Sequence, residues 1–370
     1  MPKTIPDTDP TAAAQAAARS AGLVYVDDAM AGFSRRRQGR GFSYREIDGS
    51  PIRDRKTMAR IRALAVPPAW TEVWICASAR GHLQATGRDA RKRKQYRYHA
   101  DWDSVRGDGK FERIVAFGEA LPKLRRRLRA HLAPSGYPRE KVLAIVVSLL
   151  AETLARIGND SYARSNKSFG LTTLRDRHLA FVASGRAHLR FRGKGGQAHD
   201  VAIDDKRLAR LARGCQQLPG QTLFQYRDED GALQPVDSGQ VNDYLREAMG
   251  EAFTAKDFRT WGGTLHAFRV FAATPLPEDR EGATPSERAL ATAEKAVVGE
   301  VAGILGNTVA VCRKAYIDPA IFAGWRDGSL ARAAADARGQ RQWERAMLRF
   351  LKRTRGKSAP SARKRRGKRR

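Results

Sequence analysis

The chain has 370 residues, 42% of them hydrophobic, and a formal charge of +30. That length and apolar content supply a core for one large or two smaller domains, and the charge selects a polyanion as partner rather than a neutral substrate. Residues 352–370 hold eleven Lys or Arg and no acid, which leaves +19 on the rest (30 − 11), so the folded body itself is expected to engage nucleic acid.

Residues 1–21 read as a flexible leader or a loosely held helix, acidic and Pro-rich and then Ala-rich, with no hydrophobic signal core. Residues 22–104 read as a small β-rich domain. Val73 and Ile75 alternate with Trp74 and Cys76, Arg80-Gly81 predicts a hairpin turn, and Pro67-Pro68 ends a short helix centred on 57–64. Residues 105–351 read as mostly helical. Within them 141–157 is an apolar, buried helix, and 188–203 is a β-hairpin with a glycine-rich tip. Thr284-Pro285-Ser286-Glu287 predicts a capped helix start at Thr284, running to Gly306, with a further short helix over 308–316. Residues 352–370 read as a basic disordered tail. The fold class is therefore α+β: a β-rich N-terminal domain and a larger helical domain enclosing a hairpin.

The cysteines Cys76, Cys215 and Cys312 are spaced neither as a disulfide framework nor as a zinc site, so no metal is expected and a reducing cytoplasm is. The longest apolar run, 142–151, is far short of the ~20 residues of a membrane span.

Five features carry side chains with chemical uses. From Arg88 the chain reads RDARKRKQYRYHA, where Arg91, Lys92, Arg93 and Lys94 can neutralise phosphates and the phenols of Tyr96 and Tyr98 can contact DNA. Arg156 follows the apolar helix and is placed to clamp a phosphate, unless Glu152 pairs with it. Lys194 sits in RFRGKGG, where glycines admit a close approach and the ammonium can deliver a proton, although an ordinary hairpin turn has the same composition. KDFRTWGGT runs from Lys256 through Arg259. Asn307 follows Leu305-Gly306, and Tyr316 ends the run CRKAY; alone, that tyrosine reads as a core residue with a wet hydroxyl.

In the order Arg, hairpin Lys, K-x-x-R, Asn, Tyr, these segments resemble the type IB DNA topoisomerases, particularly the compact bacterial and poxvirus-like group, over about residues 25–325. The resemblance implies double-stranded DNA as partner, Tyr316 as nucleophile, Arg156 and Arg259 on the scissile phosphate, and Lys194 as general acid. It adds Gln95, Tyr96, Tyr98 and Tyr162 as DNA contacts and gives Lys256 the family role of its segment. It also implies transient single-strand cleavage through a 3′-phosphotyrosyl link, with no cofactor and no ATP. The poxvirus and eukaryotic pattern has a histidine where this chain has Asn307, as bacterial members do. An amide can donate a hydrogen bond but cannot shuttle a proton. A monomer associated with the nucleoid is expected.

Two alternatives remain at this level. His266-Ala267-Phe268-Arg269 has the H-x-x-R spacing of a tyrosine recombinase, though the surrounding KDFRTWGGT and the β-rich N-terminus favour a topoisomerase. A non-catalytic DNA-binding protein would share the charge. No acid adjoins Tyr316; the nearest is Asp318.

Overall fold

The structure is a computed structural model that describes residues 10–358 except 40, 91, 93, 183, 251–252 and 279–284. Composition places the domain boundary at 104/105; the two compact units divide at Met1–Lys110 and Phe111–Arg370.

In the first unit, residues 10–20 of the stretch read as leader form α1 (Pro10–Ser20), with Ala18 buried beside Leu23 and Trp102. Then come β1 (Gly32–Gln38), β2 (Gly41–Arg45), α2 (Arg55–Ala63), β3 (Thr71–Cys76), β4 (Leu83–Arg88) and β5 (Lys94–Tyr98). The five strands form one antiparallel sheet in the order β2-β1-β3-β4-β5. The period-2 alternation turns Val73 and Ile75 inward, where Phe33, Ile52, Ala85 and Ile61 of α2 complete the core. Asp54 caps α2 by accepting from the Thr57 N–H at 2.7 Å. The expected turn at Arg80-Gly81 lies between β3 and β4.

The second unit is built around α4 (Arg139–Thr153), which follows α3 (Ala100–His131) and is buried from Val142 to Val147. A helix apolar all round must be enclosed, and the later helices enclose it. After α5 (Asp160–Asn166) comes a three-stranded sheet, β6 (Leu179–Phe181), β7 (Ala187–Arg192) and β8 (Ala198–Ile203), in the order β6-β7-β8. β7 and β8 are the hairpin expected from sequence. β6 is unforeseen, because three residues are too few to show alternation. Then follow α6 (Lys206–Gln216), the small pair β9 (Gln225–Arg227) and β10 (Leu233–Pro235), α7 (Ser238–Met249), α8 (Ala255–Ala273), α9 (Glu287–Leu305), α10 (Val309–Tyr316), α11 (Pro319–Arg326), α12 (Ser329–Ala334) and α13 (Gln340–Ser358).

Three expectations need correction. The apolar helix ends at Thr153, not 157, because Leu154 takes a left-handed conformation (φ 54°, ψ 18°). The cap of α9 is Ser286, whose hydroxyl accepts from the Ala289 N–H at 3.2 Å; Thr284 lies outside the described residues. Residues 352–358, read as disordered tail, continue α13, and Phe350 and Leu351 just before them are buried; residues 359–370 lie outside the described residues.

Candidate active site

Four of the five expected catalytic side chains meet where helix ends converge. The left-handed turn at Leu154 releases the chain from α4, and the next residues are pinned. The Arg156 carbonyl accepts from the Leu171 N–H at 2.9 Å, and the Ile157 carbonyl accepts from the Thr172 N–H at 2.6 Å. Arg156 is thus presented from a fixed loop. Glu152, its expected competitor, has one carboxylate oxygen taken up by the Asp204 and Asp205 N–H groups at 2.7 and 3.1 Å.

The Arg156 guanidinium donates to Asn307 Oδ1 at 2.6 Å. A guanidinium only donates, so this contact fixes the orientation of the amide. Asn307 Nδ2 is left buried with no acceptor among the described residues. A donor in that position costs ~1–3 kcal/mol until an oxygen reaches it.

Arg259, on the second turn of α8, is 5% exposed. It donates to the Leu154 carbonyl and, through Nη2, to the Leu305 carbonyl at 2.6 Å. Both are carbonyls that a helix terminus leaves over. One guanidinium therefore ties the end of α4, which leads to Arg156, to the end of α9, which leads to Asn307. Its carbon lies 5.0 Å from the centroid of the Tyr316 ring.

Tyr316 closes α10, whose start is capped by Thr308 accepting from the Val311 N–H at 3.3 Å. The buried Thr264 hydroxyl of α8 donates to the Tyr316 carbonyl at 3.1 Å and accepts from the Asp318 N–H at 3.2 Å. The same helix that carries Arg259 thereby fixes the backbone on both sides of Ile317. Cys312, on the inner face of α10, is fully buried, and burial pushes its thiol up to about 11, so it stays protonated.

The Asp318 carboxylate is engaged on the side of α11 and α13. It caps α11 through the Ala320 N–H at 2.9 Å and accepts from Arg355 of α13 at 2.8 Å. Burial raises its pKa, against the pull of those two partners.

The family model described as eukaryotic DNA topoisomerase I, catalytic core, matches residues 94–321, and that of the bacterial DNA topoisomerase IB N-terminal domain matches residues 41–89. The DNA topoisomerase 1B of Acanthamoeba polyphaga mimivirus is 31% identical over 292 residues, 78% of this chain and 85% of that one. The chain belongs to the type IB DNA topoisomerases. It is an isomerase that acts on DNA, with the α+β fold of that family.

The remaining candidate residues of this topoisomerase are dispersed. Lys194 is exposed at the hairpin tip, in a short 3₁₀ turn of Lys194–Gly196. Lys256 is exposed one turn before Arg259 on α8. Tyr162 lies in α5, but its side chain is outside the described residues, as are Arg91 and Arg93. In the N-terminal unit, the rings of Tyr96 and Tyr98 stack at 6.0 Å and 9° on β5. Tyr96 remains 47% exposed, an open face for a base or sugar. Lys94 is paired with Asp28 at 2.6 Å, which raises its pKa, and Gln95 donates to Asp89 at 3.0 Å. Lys92 is exposed in a left-handed turn at φ 58°. Of the recombinase-like spacing, His266 pairs with Glu300 at 2.9 Å and Arg269 lies 5.7 Å from the Trp343 ring.

One functional candidate is absent from the sequence reading. His199 of β8 is half-buried beside the cluster. Burial, then Arg156 and Arg259, lower its pKa. The only sequence signal for it is its place opposite Phe191 across the hairpin. Among the described residues, no single helix is long and apolar enough to cross a membrane.

Proposed function

We propose that this topoisomerase relaxes DNA by transesterification at Tyr316, with Arg156, Arg259, Asn307 and Lys194 in the roles their sequence order implies. The observation that carries the proposal is the joined set of Arg156, Asn307 and Arg259, with a buried, unsatisfied amide donor, against the ring of Tyr316. Arg156 and Asn307 are bonded to each other, Arg259 holds the Leu305 carbonyl two residues before Asn307 and faces the Tyr316 ring, and a phosphate oxygen is the acceptor that suits these donors.

In the forward step the Tyr316 oxygen forms a bond to phosphorus as its proton passes to solvent, and the bond from phosphorus to the sugar O5′ breaks. The two arginines and the Asn307 amide hold the non-bridging oxygens, where charge grows in the transition state. Lys194 gives a proton to O5′, which would otherwise leave as a costly alkoxide. The Arg259 guanidinium, 5.0 Å from the ring centroid, faces the attacking phenol. The product is a 3′-phosphotyrosyl enzyme with a free 5′-hydroxyl. One phosphoester replaces another, so religation needs no ATP. The freed strand swivels before the reverse step.

Tyr96, Tyr98, Gln95, Lys92, Lys94, Tyr162 and Lys256 are assigned to contacts with the DNA backbone and bases. Arg91 and Arg93, which lie outside the described residues, are assigned there by charge alone. The protein acts as a monomer on the nucleoid, since one active site serves one strand.

Relaxation of a supercoiled plasmid in EDTA without ATP is expected. Tyr316→Phe is expected to bind duplex DNA with unchanged affinity, yet to relax nothing and form no covalent adduct on denaturing gels. An adduct retained in Tyr316→Phe would overturn the assignment of the nucleophile. A wild-type protein that binds plasmid without relaxing it would instead favour a purely architectural role.

A further inference from the structure

We infer that His199 is a positioning residue whose ring holds the Lys194 hairpin tip in register with the Asn307 loop. The inference rests on Lys194 being the proton donor to O5′, as proposed above.

His199 pairs with Phe191 across the hairpin, and the two rings stack at 5.0 Å and 13°. One edge of the imidazole bears on Gly193, the residue before Lys194. A Cβ built on Gly193 would lie 2.5 Å from His199 Cδ2 and Nε2. The ring also bears on Gly306, the residue before Asn307, where an added Cβ would lie 2.4 Å from Cε1. One ring therefore touches the backbone beside two proposed catalytic residues that are far apart in sequence.

The two glycines have different causes. Gly306 has φ 56° as the C-cap of α9, so its conformation already favours glycine. Gly193 has φ −94° and ψ −165°, extended backbone open to any residue. Only the imidazole against it accounts for a missing side chain there. The shape of the ring, rather than its charge, carries the contact. Neither ring nitrogen has a hydrogen-bond partner among the described residues, and burial beside Arg156 and Arg259 disfavours the imidazolium.

The Lys194 side chain is exposed on a glycine-rich tip, with no hydrogen bond or ion pair among the described residues, and the turn itself is closed by the Gly193 N–H donating to the Gln197 carbonyl at 2.8 Å. The wedge between Gly193 and Gly306 is a direct link from the residue before Lys194 to the residue before Asn307, beside the hydrogen bond from the Phe169 N–H to the Arg192 carbonyl at 2.7 Å. Misplacement of a catalytic group by a fraction of an ångström to one ångström is enough to cost rate.

The test uses single-turnover cleavage of two duplexes that differ only at the leaving atom. One has the natural O5′ and the other a 5′-bridging sulfur. A thiol titrates near ~8.5, so the sulfur departs as a thiolate without a donated proton. On the oxygen substrate, His199→Ala is expected to slow cleavage about 10- to 100-fold, while His199→Phe keeps most of the wild-type rate. On the sulfur substrate, both His199→Ala and Lys194→Ala are expected to recover. A wild-type rate for His199→Ala on oxygen, an equal loss on both substrates, or a loss in His199→Phe as large as that in His199→Ala each overturns the inference. Globally damaged protein would be slow on sulfur as well, so the same sample separates positioning from folding. Lys194→Ala that stays slow on sulfur overturns the proton-donor reading itself, whatever His199→Ala does.

Discussion

Arg259 joins a structural role to the chemical one proposed for it. Its fork spans the Leu154 and Leu305 carbonyls, and its charged face lies against Tyr316. A lysine supplies the charge as a single point and cannot hold both carbonyls. Arg259→Lys is therefore expected to slow single-turnover adduct formation by at least ~100-fold while leaving duplex affinity nearly unchanged; a loss confined to affinity would contradict this. Histidines set a second residue-scale property. His178 and His199 both titrate below the ordinary imidazole range, each through burial first and neighbouring arginines second. As the pH falls through ~6.5 the unfolded chain takes up these protons before the folded one does. The stability they confer is present above that pH and is lost as pH falls toward the depressed folded values. The melting temperature is expected to drop between about pH 7 and about pH 5, and His199→Phe, which removes one of the two groups, is expected to drop less. Tyr316, Arg156 and Arg259 were legible because their order and neighbours form a pattern along the chain. His199 was not, because its meaning lies in contacts with Gly193 and Gly306 that no local spacing reports.

The elements matter through their ends. The two arginines are placed by the end of α4 and by α8, and Tyr316 is placed by α10, so whatever fixes α10 fixes the proposed nucleophile. Glu294 of α9, 1% exposed, binds Arg313 of α10 at 2.5 Å and Arg326 of α11 at 2.7 Å. α13 adds Arg355, which holds the buried Asp318 just past Tyr316 and also donates to the Phe111 carbonyl. Arg355→Ala strands that carboxylate. Because Arg355 is itself 31% exposed, the expected cost is about 1–3 kcal/mol, read from urea denaturation. Burial already raises the pKa of Asp318, and Arg355 opposes the rise. The deficit relative to wild type is thus full at neutral pH and shrinks as pH falls through the folded pKa of Asp318, where the acid is neutral and needs no partner. A pH-independent deficit would mean that Arg355 acts through the Phe111 carbonyl instead. Composition alone reads 352–370 as one low-complexity tail, since Lys and Arg dominate throughout. What composition hides is that Arg355 lies on a helix and is committed to a buried acid. The early end of α4 was hidden for a similar reason: Leu154 looks like one more apolar helix residue, and the Arg259 guanidinium at its carbonyl and Gly262 against its side chain are contacts that no local spacing reports.

At the scale of the whole molecule the dominant quantity is charge. A formal +30 attracts DNA from a distance and makes binding depend steeply on salt. The described ion pairs withdraw some cations from that field: Lys94 is committed to Asp28, Arg313 and Arg326 to Glu294, and Arg355 to Asp318. The last twelve residues, 359–370, contribute seven Lys or Arg and no acid. If these seven meet phosphates, their release of counterions governs affinity without touching the chemistry. Deleting 359–370 is expected to reduce the slope of log affinity against log salt by up to ~6 (0.9 × 7). Single-turnover cleavage at saturating protein is expected to stay at the wild-type rate. Extending the deletion to 352–370 removes Arg355 as well, and should add the stability loss of Arg355→Ala to the weaker binding. Titrations of one duplex at several salt concentrations, paired with urea melts of the same two truncations, separate the contributions. A slower cleavage rate in the shorter deletion at saturation would show that the terminal charges reach the active site.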